Sequence, residues 1–339
     1  MNVFELTRAL VDIESITNNE EAVGAYLLEY LTPLAARFGG RVEPMGVEPR
    51  RFNVFAQWGG RPTVTLSTHL DTVPPFFISR EDEDHIWGRG ACDTKGIIAA
   101  MIKAAEALLE DGQRDFGLLF VVGEERNSAG AYRAAATPRG SKYLINGEPT
   151  ENRLALGSKG SLRYEVVASG KMAHSAYPEL GDSAIHKLIE ALTDMRRIPL
   201  PVDSLLGPST LNVGTLSGGR APNVIADEAH ADIMIRLVGD PAETKAALAR
   251  VAEGRVELRE VIEIPAARLG SVEGIETTVV AFTTDIPAFG GQWGEPFLIG
   301  PGTIHVAHTL EERVPKRQLL EAVQIYRRMV TDLCKRESK

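Results

Sequence analysis

Acidic residues and histidines follow several short apolar segments of this chain, and their types and spacing suit metal chemistry. Three groups stand at the ends of predicted strands: His69 and Asp71 in STHLDTVPP, Glu124 and Glu125 in LLFVVGEE, and Glu148 in YLINGEP. Because carboxylates and imidazoles are costly to bury without a partner, their recurrence at strand ends indicates a metal or catalytic site. The sequence therefore predicts a metal-dependent hydrolase.

Two further segments complete the candidate set. Asp93 lies in GRGACDTKG, and two histidines, His305 and His308, share the loop GPGTIHVAHTLEE, where spacing does not choose between them. Gly88 and Gly90 are similar to the start of a dinucleotide-binding turn. Asp93, however, stands where the third glycine would be, and a carboxylate there would repel a pyrophosphate. The ordinary alternative for Asp93 is the N-cap of the following helix.

Neighbouring residues within these groups suit a division of roles. His69 and Asp71 are two apart on an extended segment, so both project from the same face. A metal-bound histidine normally donates its other ring N–H to a carboxylate, and Asp71 can accept it. Of the adjacent Glu124 and Glu125, one can hold a metal while the other moves protons. The alternatives are a surface His–Asp pair that caps a strand and a solvated acidic turn.

Ligand counting favours two metal ions. His69, Asp93 and Glu148 would surround one ion, and Asp93, Glu125 and one of the two loop histidines would surround the other. With Asp93 and one hydroxide bridging, each ion has about four ligands, the number that zinc prefers, and the negative charge matches two divalent ions. Nitrogen and oxygen donors without thiolate suit Zn²⁺ and also Co²⁺ or Mn²⁺.

Apolar periodicity predicts the elements that position these residues. Amphipathic helices are predicted over 3–13, 20–37, 95–110 and 128–136, and strands over 52–58, 63–69, 116–122 and 142–146. Strands that alternate with helices indicate an α/β fold, in which a mixed, mostly parallel sheet is flanked by helices. Ligands bind outside the carboxyl ends of the strands in such sheets, where the candidate residues lie.

The pattern changes near residue 157. Strands over 161–168, 210–216, 228–238 and 255–263 and helices over 181–197 and 241–253 predict an inserted α+β domain. The first pattern resumes with a strand over 296–299 and a long helix over 315–336. We therefore expect a catalytic domain of residues 1–157 and 271–339 and an inserted domain of residues 158–270.

The composition of the chain limits which binding partners and which cellular location are expected. The net charge is −9 and the chain has no basic run, so neither nucleic acid nor an anionic membrane is an expected partner. The chain has two cysteines, Cys92 and Cys334, which argues against a disulfide framework and favours a cytoplasmic location. The N-terminal segment lacks the basic start and apolar block of a signal peptide.

The chain resembles the zinc amidohydrolases and peptidases that include acetylornithine deacetylase and succinyl-diaminopimelate desuccinylase. The motifs that carry the resemblance cover nearly the whole chain: STHLDTVPP, WGRGACDTKG, VVGEERNSAGA, INGEPT, GKMAHSAYP, GGRAPNVIADEAHADIMIR and GPGTIHVAHTLEE. The resemblance implies five metal ligands, of which the aspartate bridges: His69, Asp93, Glu125, Glu148 and His308. It favours His308 over His305 because the family's ligand histidine is followed four residues later by a glutamate, here Glu312.

The resemblance also implies the remaining roles. Glu124 would be the general base acting on a metal-bridging water, and Asp71 would orient the first ligand histidine. The inserted domain would be a lid through which the protein forms a homodimer, with His174 reaching the active site of the other subunit. Asn223 and Arg236 match lid positions associated with holding the substrate carboxylate, which an arginine can bind with two hydrogen bonds.

The predicted function is metal-dependent hydrolysis of the amide bond of a small N-acyl amino acid. Deacetylation of N-acetyl-ornithine or N-acetyl-citrulline in arginine biosynthesis is the preferred assignment, with two Zn²⁺ ions, or Co²⁺, as cofactors. A dipeptidase, a carboxypeptidase or a succinyl-diaminopimelate desuccinylase with the same dinuclear centre is the alternative among enzymes. A non-catalytic metal-dependent binding protein is the alternative from another class, and the filled base position Glu124 argues against it.

Overall fold

A computed structural model describes residues 1–337, and these form two compact units. The first unit contains Met1–Leu156, Leu269–Thr278 and the chain from Thr284 onward. The second contains Gly157–Arg268 and Val279–Thr283. All the candidate metal ligands belong to the first unit, whereas the three residues assigned above to a lid belong to the second.

Helices and strands alternate through most of the described chain. The α-helices are α1 (Val3–Val11), α2 (Glu21–Phe38), α3 (Gly96–Glu110), α4 (Ala129–Ala135), α5 (Ala184–Met195), α6 (Pro241–Ala252) and α7 (Lys316–Arg336). The strands are β1 (Gly40–Glu48), β2 (Arg51–Trp58), β3 (Val64–His69), β4 (Arg80–Glu81), β5 (His85–Trp87), β6 (Phe116–Val121), β7 (Tyr143–Asn146), β8 (Leu154–Ser158), β9 (Gly160–Ser169), β10 (Val202–Asp203), β11 (Gly207–Pro208), β12 (Thr210–Gly218), β13 (Glu228–Leu237), β14 (Glu257–Ile264), β15 (Ala267–Arg268), β16 (Thr277–Val280), β17 (Glu295–Leu298) and β18 (Arg313–Pro315). Within residues 1–337, no helix is both long and apolar enough to span a lipid bilayer.

The first unit is built on a sheet whose central strands run parallel. Seven successive strands follow the order β1-β2-β6-β3-β7-β17-β8. Strand β3 pairs in parallel with β6 and with β7, and β7 pairs in parallel with β17. The outer strands β1, β2 and β8 are antiparallel to their neighbours. The α/β fold with a mixed, mostly parallel sheet flanked by helices is therefore confirmed.

Alternate residues of the central strands pack into two cores on opposite faces of this sheet. On β6, Leu118 and Phe120 join the larger core with α1, α2, α3 and α7, whereas Leu119 and Val121 join a smaller core with α4 and Trp293. Successive side chains of a strand point to opposite faces, so a sheet covered on both faces needs apolar residues at every position. This requirement explains the uninterrupted apolar run before the two glutamates.

The candidate ligands follow the carboxyl ends of the parallel strands. Strand β3 ends at His69 itself, β6 ends at Val121 shortly before Glu124, and β7 ends at Asn146 shortly before Glu148. Parallel strands place these ends at the same edge of the sheet, where ligands bind in open α/β folds. The predicted position of these groups at strand ends is confirmed.

A small sheet joins two other site segments. Strands β18, β5 and β4 pair in that order, and the backbone N–H of Gly88 donates to the carbonyl of Glu312 at 3.1 Å. Strand β5 leads into the turn that carries Asp93, and β18 follows the loop that carries His308. The pairing therefore fixes two segments that are more than 200 residues apart in sequence beside each other.

The second unit is a half-covered antiparallel sheet. Its four strands follow the order β12-β13-β9-β14, and α5 and α6 pack on it. Buried and partly buried residues alternate along β13, where Ala231, Ile233 and Ile235 enter the core. This alternation is typical of a sheet with one covered face.

Two local expectations were wrong. Strand β1 was not predicted, because Pro44 and Gly46 interrupt its sequence pattern; both residues are tolerated because β1 lies at the edge of the sheet. Helix α5 begins at Ala184 rather than at residue 181, because Ser183 is its N-cap and accepts from the backbone N–H of His186.

Replacing Gly147 by alanine should destabilise the first unit. A Cβ at Gly147, between β7 and Glu148, would collide with Ile97 and Met101 of α3. Overpacking of this kind costs about 1–3 kcal/mol. We expect Gly147→Ala to lower the free energy of unfolding by that amount in urea titrations. In Gly46→Ala, the matched control, the new Cβ meets no atom within 4 Å. Equal stability of the two variants would contradict this packing.

Candidate metal centre

The sheet edge brings the candidate ligands into groups that share members. Within each group the possible ligand atoms lie within 4.8 Å of one another, and the groups are His69–Asp93–Glu148, Asp93–Glu125–His308 and His69–Glu124–Glu125. Asp93 belongs to the first two groups, so its carboxylate stands between two histidines. Among residues 1–337, His305 enters none of these groups.

His69 is fixed by its own loop. Its Nε2 atom lies 3.0 Å from Oδ1 of Asp93, and its Nδ1 atom lies 2.9 Å from the backbone carbonyl oxygen of Asp71. Because a carbonyl can only accept, Nδ1 carries a proton and donates it, so Nε2 is the ring nitrogen that faces Asp93. The carboxylate of Asp71 is farther away, at 3.6 Å. His69 therefore donates to the backbone carbonyl of Asp71, whereas the sequence predicts its side-chain carboxylate as the acceptor.

The carboxylate of Asp71 instead holds the glutamate loop. Its Oδ1 accepts from the backbone N–H groups of Gly123 and Glu124 at 2.9 and 3.0 Å. Its Oδ2 accepts from the N–H of Glu125 at 3.2 Å and from the hydroxyl of Thr17 at 2.8 Å. Gly123, at φ +85°, allows the tight turn that aims these amides at one side chain. Burial raises the pKa of Asp71, but these hydrogen bonds and His69 outweigh it and hold the pKa below its usual range.

The second histidine closes the other side of Asp93. His308 Nε2 lies 3.2 Å from Oδ2 of Asp93 and 3.0 Å from Oε1 of Glu125. The side chain of His308 is half-exposed, whereas those of Asp93 and Glu125 are buried. The two contacts raise the pKa of His308 to about 10. The centre is therefore open to solvent on the His308 side.

Negative charge is concentrated in this pocket. Burial raises the pKa of Glu124 and of Glu148 well above the usual range; His69 lowers both, and neighbouring carboxylates raise them further. Burial also raises the pKa of Asp93, but hydrogen bonds from His308 and His69 hold it well below the usual range. The site accordingly favours added positive charge.

The donor set fits divalent cations. Two ligands of one tetrahedral ion, bonded at about 2.0–2.1 Å, lie about 3.3 Å apart. The histidine nitrogens lie 3.0 and 3.2 Å from the oxygens of Asp93, close to that value. Atom Oε1 of Glu148 is buried and has no hydrogen-bond partner among the described residues, which a cation would correct. Nitrogen and oxygen donors without thiolate suit Zn²⁺, Co²⁺ or Mn²⁺.

Asp93 lies in an irregular turn rather than at a helix cap. Its φ and ψ of −125° and 80° are not helical, and α3 begins three residues later, at Gly96. Lys95 occupies the N-cap position and makes no side-chain cap bond. The N-cap alternative for Asp93 is therefore wrong, since its carboxylate contacts the two histidines instead.

A buried ion pair supports this turn. Arg89 and Glu312 are both buried and paired through Nη1 and Oε2. The other oxygen of Glu312 accepts from the backbone N–H of Asp93 at 3.2 Å and of Cys92 at 3.4 Å. Glu312 thus ties the turn of Asp93 to the loop of His308. The sequence indicates Glu312 only through the choice of His308 as a ligand, because a glutamate in a polar loop shows no pattern that predicts burial.

The three residues assigned to a lid lie in the second unit. The backbone N–H of Ser175 donates to the carbonyl of Asn223 at 3.0 Å, which sets the segment of His174 beside that of Asn223. His174 and Asn223 are exposed. Arg236 lies on β13, partly buried, and donates to the hydroxyl of Ser161 at 3.1 Å. Their part in binding or catalysis stays a prediction.

Comparison with known proteins identifies the family. The model of peptidase family M20/M25/M40 matches residues 65–332, a span that contains every candidate ligand. The chain belongs to this family. A "Peptidase M20 domain-containing protein" of Schizosaccharomyces pombe is 39% identical, over 97% of this chain and 84% of that protein. A protein of Aspergillus niger named a probable carboxypeptidase is 37% identical, over 95% of this chain and 88% of that protein.

Solved structures share the fold of this M20 chain. A tripeptidase of Staphylococcus aureus superposes with a TM-score of 0.81 at 20% identity, over 98% of each chain. The YXEP protein of Bacillus subtilis, described as a dinuclear metal-binding peptidase, superposes with a TM-score of 0.70 at 16% identity, over 98% of this chain and 97% of that one. The predicted family is thus right at the level of M20, and none of these four proteins is named a deacetylase or a desuccinylase.

Replacing Asp71 by asparagine should loosen the glutamate loop of this M20 chain. An amide supplies one acceptor oxygen, so the N–H groups of Gly123 and Glu124 or that of Glu125 lose their partner. Hydrogen bonds to a charged group contribute about 1.5–3 kcal/mol. We expect a loss of that size in the free energy of unfolding, measured in urea. Thr17→Val, the control, removes only the hydroxyl bond and should cost about 1 kcal/mol. Equal losses would contradict the assigned role.

Breaking the buried ion pair should be far more costly than breaking an exposed one. Arg89→Met leaves Glu312 buried without its cation, which costs about 3–5 kcal/mol. Arg317→Met breaks an exposed pair with Glu321 and should cost less than about 1 kcal/mol. Urea unfolding of both variants measures the difference. If Arg89→Met is no less stable than Arg317→Met, Arg89 does not support the Asp93 turn.

Proposed function

We propose that this M20 chain is a metal-dependent peptidase that acts on small peptides as a carboxypeptidase or dipeptidase. The observation that carries the proposal is the carboxylate of Asp93, which lies 3.0 Å from Nε2 of His69 through one oxygen and 3.2 Å from Nε2 of His308 through the other. A carboxylate shared in this way can hold two cations side by side. Glu124 and Asp93 both belong to ligand groups that contain His69, so a possible proton acceptor lies near the shared carboxylate.

Two divalent ions, most simply Zn²⁺, would be held by the five predicted ligands: His69, Asp93, Glu125, Glu148 and His308. Co²⁺ fits the same nitrogen and oxygen donors. Bound ions of this kind lower the pKa of water and polarise a carbonyl oxygen. The YXEP protein of Bacillus subtilis, a dinuclear metal-binding peptidase of similar fold, supports the number of ions.

Glu124 is the proposed general base. Its backbone N–H is held by Asp71 at 3.0 Å, so its side chain starts from a fixed position. Burial raises its pKa, which lets the carboxyl group keep a proton taken from water until it can pass the proton to the leaving amine. Positioned acids and bases of this type contribute about 10²- to 10⁴-fold to the rate.

We further propose that residues 158–270 form a lid and dimerisation domain on a catalytic domain of residues 1–157 and 271–339. In a homodimer, His174 of the partner subunit would donate to the oxyanion. Asn223 and Arg236 would bind the C-terminal carboxylate of the substrate. Arg236 supports this role: it is partly buried, and among residues 1–337 no carboxylate is recorded within ion-pair distance of it. A guanidinium without a carboxylate partner can bind a substrate carboxylate with two hydrogen bonds.

Peptide substrates are favoured over N-acyl amino acids by the names of the relatives, a carboxypeptidase from Aspergillus niger and a tripeptidase of similar fold. Deacetylation of N-acetyl-ornithine or N-acetyl-citrulline, and desuccinylation of N-succinyl-diaminopimelate, form the second candidate, supported by the sequence motifs. All of these reactions cleave an amide bond next to a substrate carboxylate, so the same ligands and base serve each one. The filled Glu124 position argues against a non-catalytic binding protein.

A substrate panel tests the proposal. The protein would be stripped with a chelator, reloaded with Zn²⁺ or Co²⁺, and assayed on dipeptides, tripeptides, N-acetyl-ornithine, N-acetyl-citrulline and N-succinyl-diaminopimelate. We expect the stripped protein to be inactive and the reloaded protein to act best on peptides. A higher kcat/KM on N-acetyl-ornithine than on every peptide would support the second candidate instead.

Variants of the two adjacent glutamates should separate the loss of proton transfer from the loss of metal binding. We expect Glu124→Gln to retain both metal equivalents while kcat falls by about 10²- to 10⁴-fold, because only the proton acceptor is lost. Glu125→Gln should instead lose metal affinity, because its carboxylate contacts His308 and belongs to the second ligand group. Metal content by mass spectrometry and steady-state kinetics measure both effects. Wild-type turnover in Glu124→Gln would remove it as the base.

A further inference from the structure

One buried carboxylate of the first unit has neither a ligand group nor a hydrogen-bond partner. Asp285 is 1% exposed, and neither of its carboxylate oxygens has a hydrogen-bond partner among residues 1–337. The hydroxyl of Ser128 is near enough to lower the pKa of Asp285, but it lies outside hydrogen-bond geometry. Burial of an unpaired carboxylate is strongly unfavourable, so Asp285 favours a cationic partner, which residues 1–337 do not supply.

Asp285 shares the electrostatic environment of the metal centre. Burial raises the pKa of Asp285 to about 7, and the nearby charges of His69, Asp71 and Glu125 also act on it. The charge of Asp285 in turn helps to raise the pKa of Glu124, the proposed base. Packing agrees with these effects, because Phe289, on the same loop, shares the smaller core with Val121 at the end of β6. The loop of Asp285 therefore lies beside the strand that leads to Glu124, the proposed base.

The loop that carries Asp285 is held in place. The backbone N–H groups of Ala288 and Phe289 donate to the carbonyl of Asp285 at 3.0 and 3.2 Å. Phe289 belongs to the smaller core, where its ring meets that of Trp293 edge to face. These contacts hold the backbone of Asp285, so its side chain starts from a fixed position. It is therefore a preorganised group, as a binding residue must be.

The other acidic residues of the site either belong to a ligand group or have hydrogen-bond donors. The carboxylates of the ligand groups, such as Asp93 and Glu125, contact histidines and would contact the ions. Asp71 accepts three backbone N–H groups and a hydroxyl. Asp285 enters none of the ligand groups found among the described residues and has no such donors. Its missing partner is therefore a separate cationic group.

We propose that Asp285 binds the α-ammonium group of the substrate residue on the acyl side of the scissile bond. In a dipeptide this nitrogen is two bonds from the scissile carbonyl carbon, so its partner must lie near the metal centre, and the loop of Asp285 packs beside the strand that leads to Glu124. The inference rests on the proposed function and specifies its substrate class. The substrates are aminoacyl compounds, above all dipeptides with a free N-terminus, rather than N-acyl amino acids.

The expected selectivity follows from the unpaired charge. An N-acyl substrate without the ammonium group would bury Asp285 against apolar atoms and leave it unpaired. Sites built to pair a polar substrate group discriminate strongly against analogues that lack it. A hydrogen bond between charged groups corresponds to about a 10- to 100-fold difference in kcat/KM.

Matched substrates test the inference on the zinc-loaded full chain. Alanyl amino acids would be compared with their propionyl counterparts, which differ only by hydrogen in place of the ammonium group. Because the preferred C-terminal residue is unknown, the pairs would cover leucine, phenylalanine, glutamate and arginine. We expect the wild type to favour the alanyl member by about 10- to 100-fold. Asp285→Asn should bring this ratio close to one, through loss on the alanyl substrate and with unchanged zinc content.

Ser128→Ala is the matched control, since it removes the hydroxyl that lowers the pKa of Asp285 and should leave the ratio as in the wild type. A wild type that shows no preference, or prefers the propionyl member, overturns the inference while hydrolysis itself upholds the proposed function. A wild type that cleaves neither member refutes the proposed function, and the inference fails with it. Equal loss on both substrates in Asp285→Asn at full zinc content would also overturn it. The ratio of kcat/KM between alanyl and propionyl substrates in the wild type tests the inference even if Asp285→Asn does not fold.

Discussion

The structure depends on one electrostatic constraint: several carboxylates are held together in a mostly buried pocket at one edge of a sheet. Asp93, Glu125 and Glu148 repel one another there, and two histidines supply too little positive charge to offset them. A chain free to relax would move these side chains into water, because burial of charge without compensation is costly. The fold therefore has to hold them rigidly, and divalent cations are the compensation that their donor atoms fit.

Rigidity comes from carboxylates that do not themselves face the centre. Asp71 accepts hydrogen bonds from the backbone N–H groups of the glutamate loop. Glu312 accepts one from the backbone N–H of Asp93 and is also paired with Arg89. Each one fixes a segment through its backbone, so the side chains of that segment keep their direction. The proposed base, Glu124, and the neighbouring candidate ligand, Glu125, are thereby positioned by one residue. A change at Asp71 would therefore displace the proposed base and the proposed ligand together.

The sequence predicts the strand ends well because a sheet covered on both faces leaves a clear signature, apolar runs that stop at polar residues. It predicts the partner of His69 poorly, because a backbone carbonyl is present at every residue and leaves no mark. The burial of Asp285 and Glu312 could not be predicted either, since both lie in irregular loops whose cover comes from packing with distant segments. Family motifs indicate roles for His174, Asn223 and Arg236. These roles consist of contacts with a substrate, so the fold of the chain alone does not test them.

The proposed function depends on the sharing of Asp93 between two cations. X-ray diffraction from crystals of the zinc-loaded protein, with anomalous data collected on both sides of the zinc absorption edge, tests it most directly. We expect two zinc peaks about 3.5–4 Å apart. One peak would lie against His69 and Glu148, the other against Glu125 and His308, with one oxygen of Asp93 on each. A single peak, or two peaks that do not share Asp93, would contradict it.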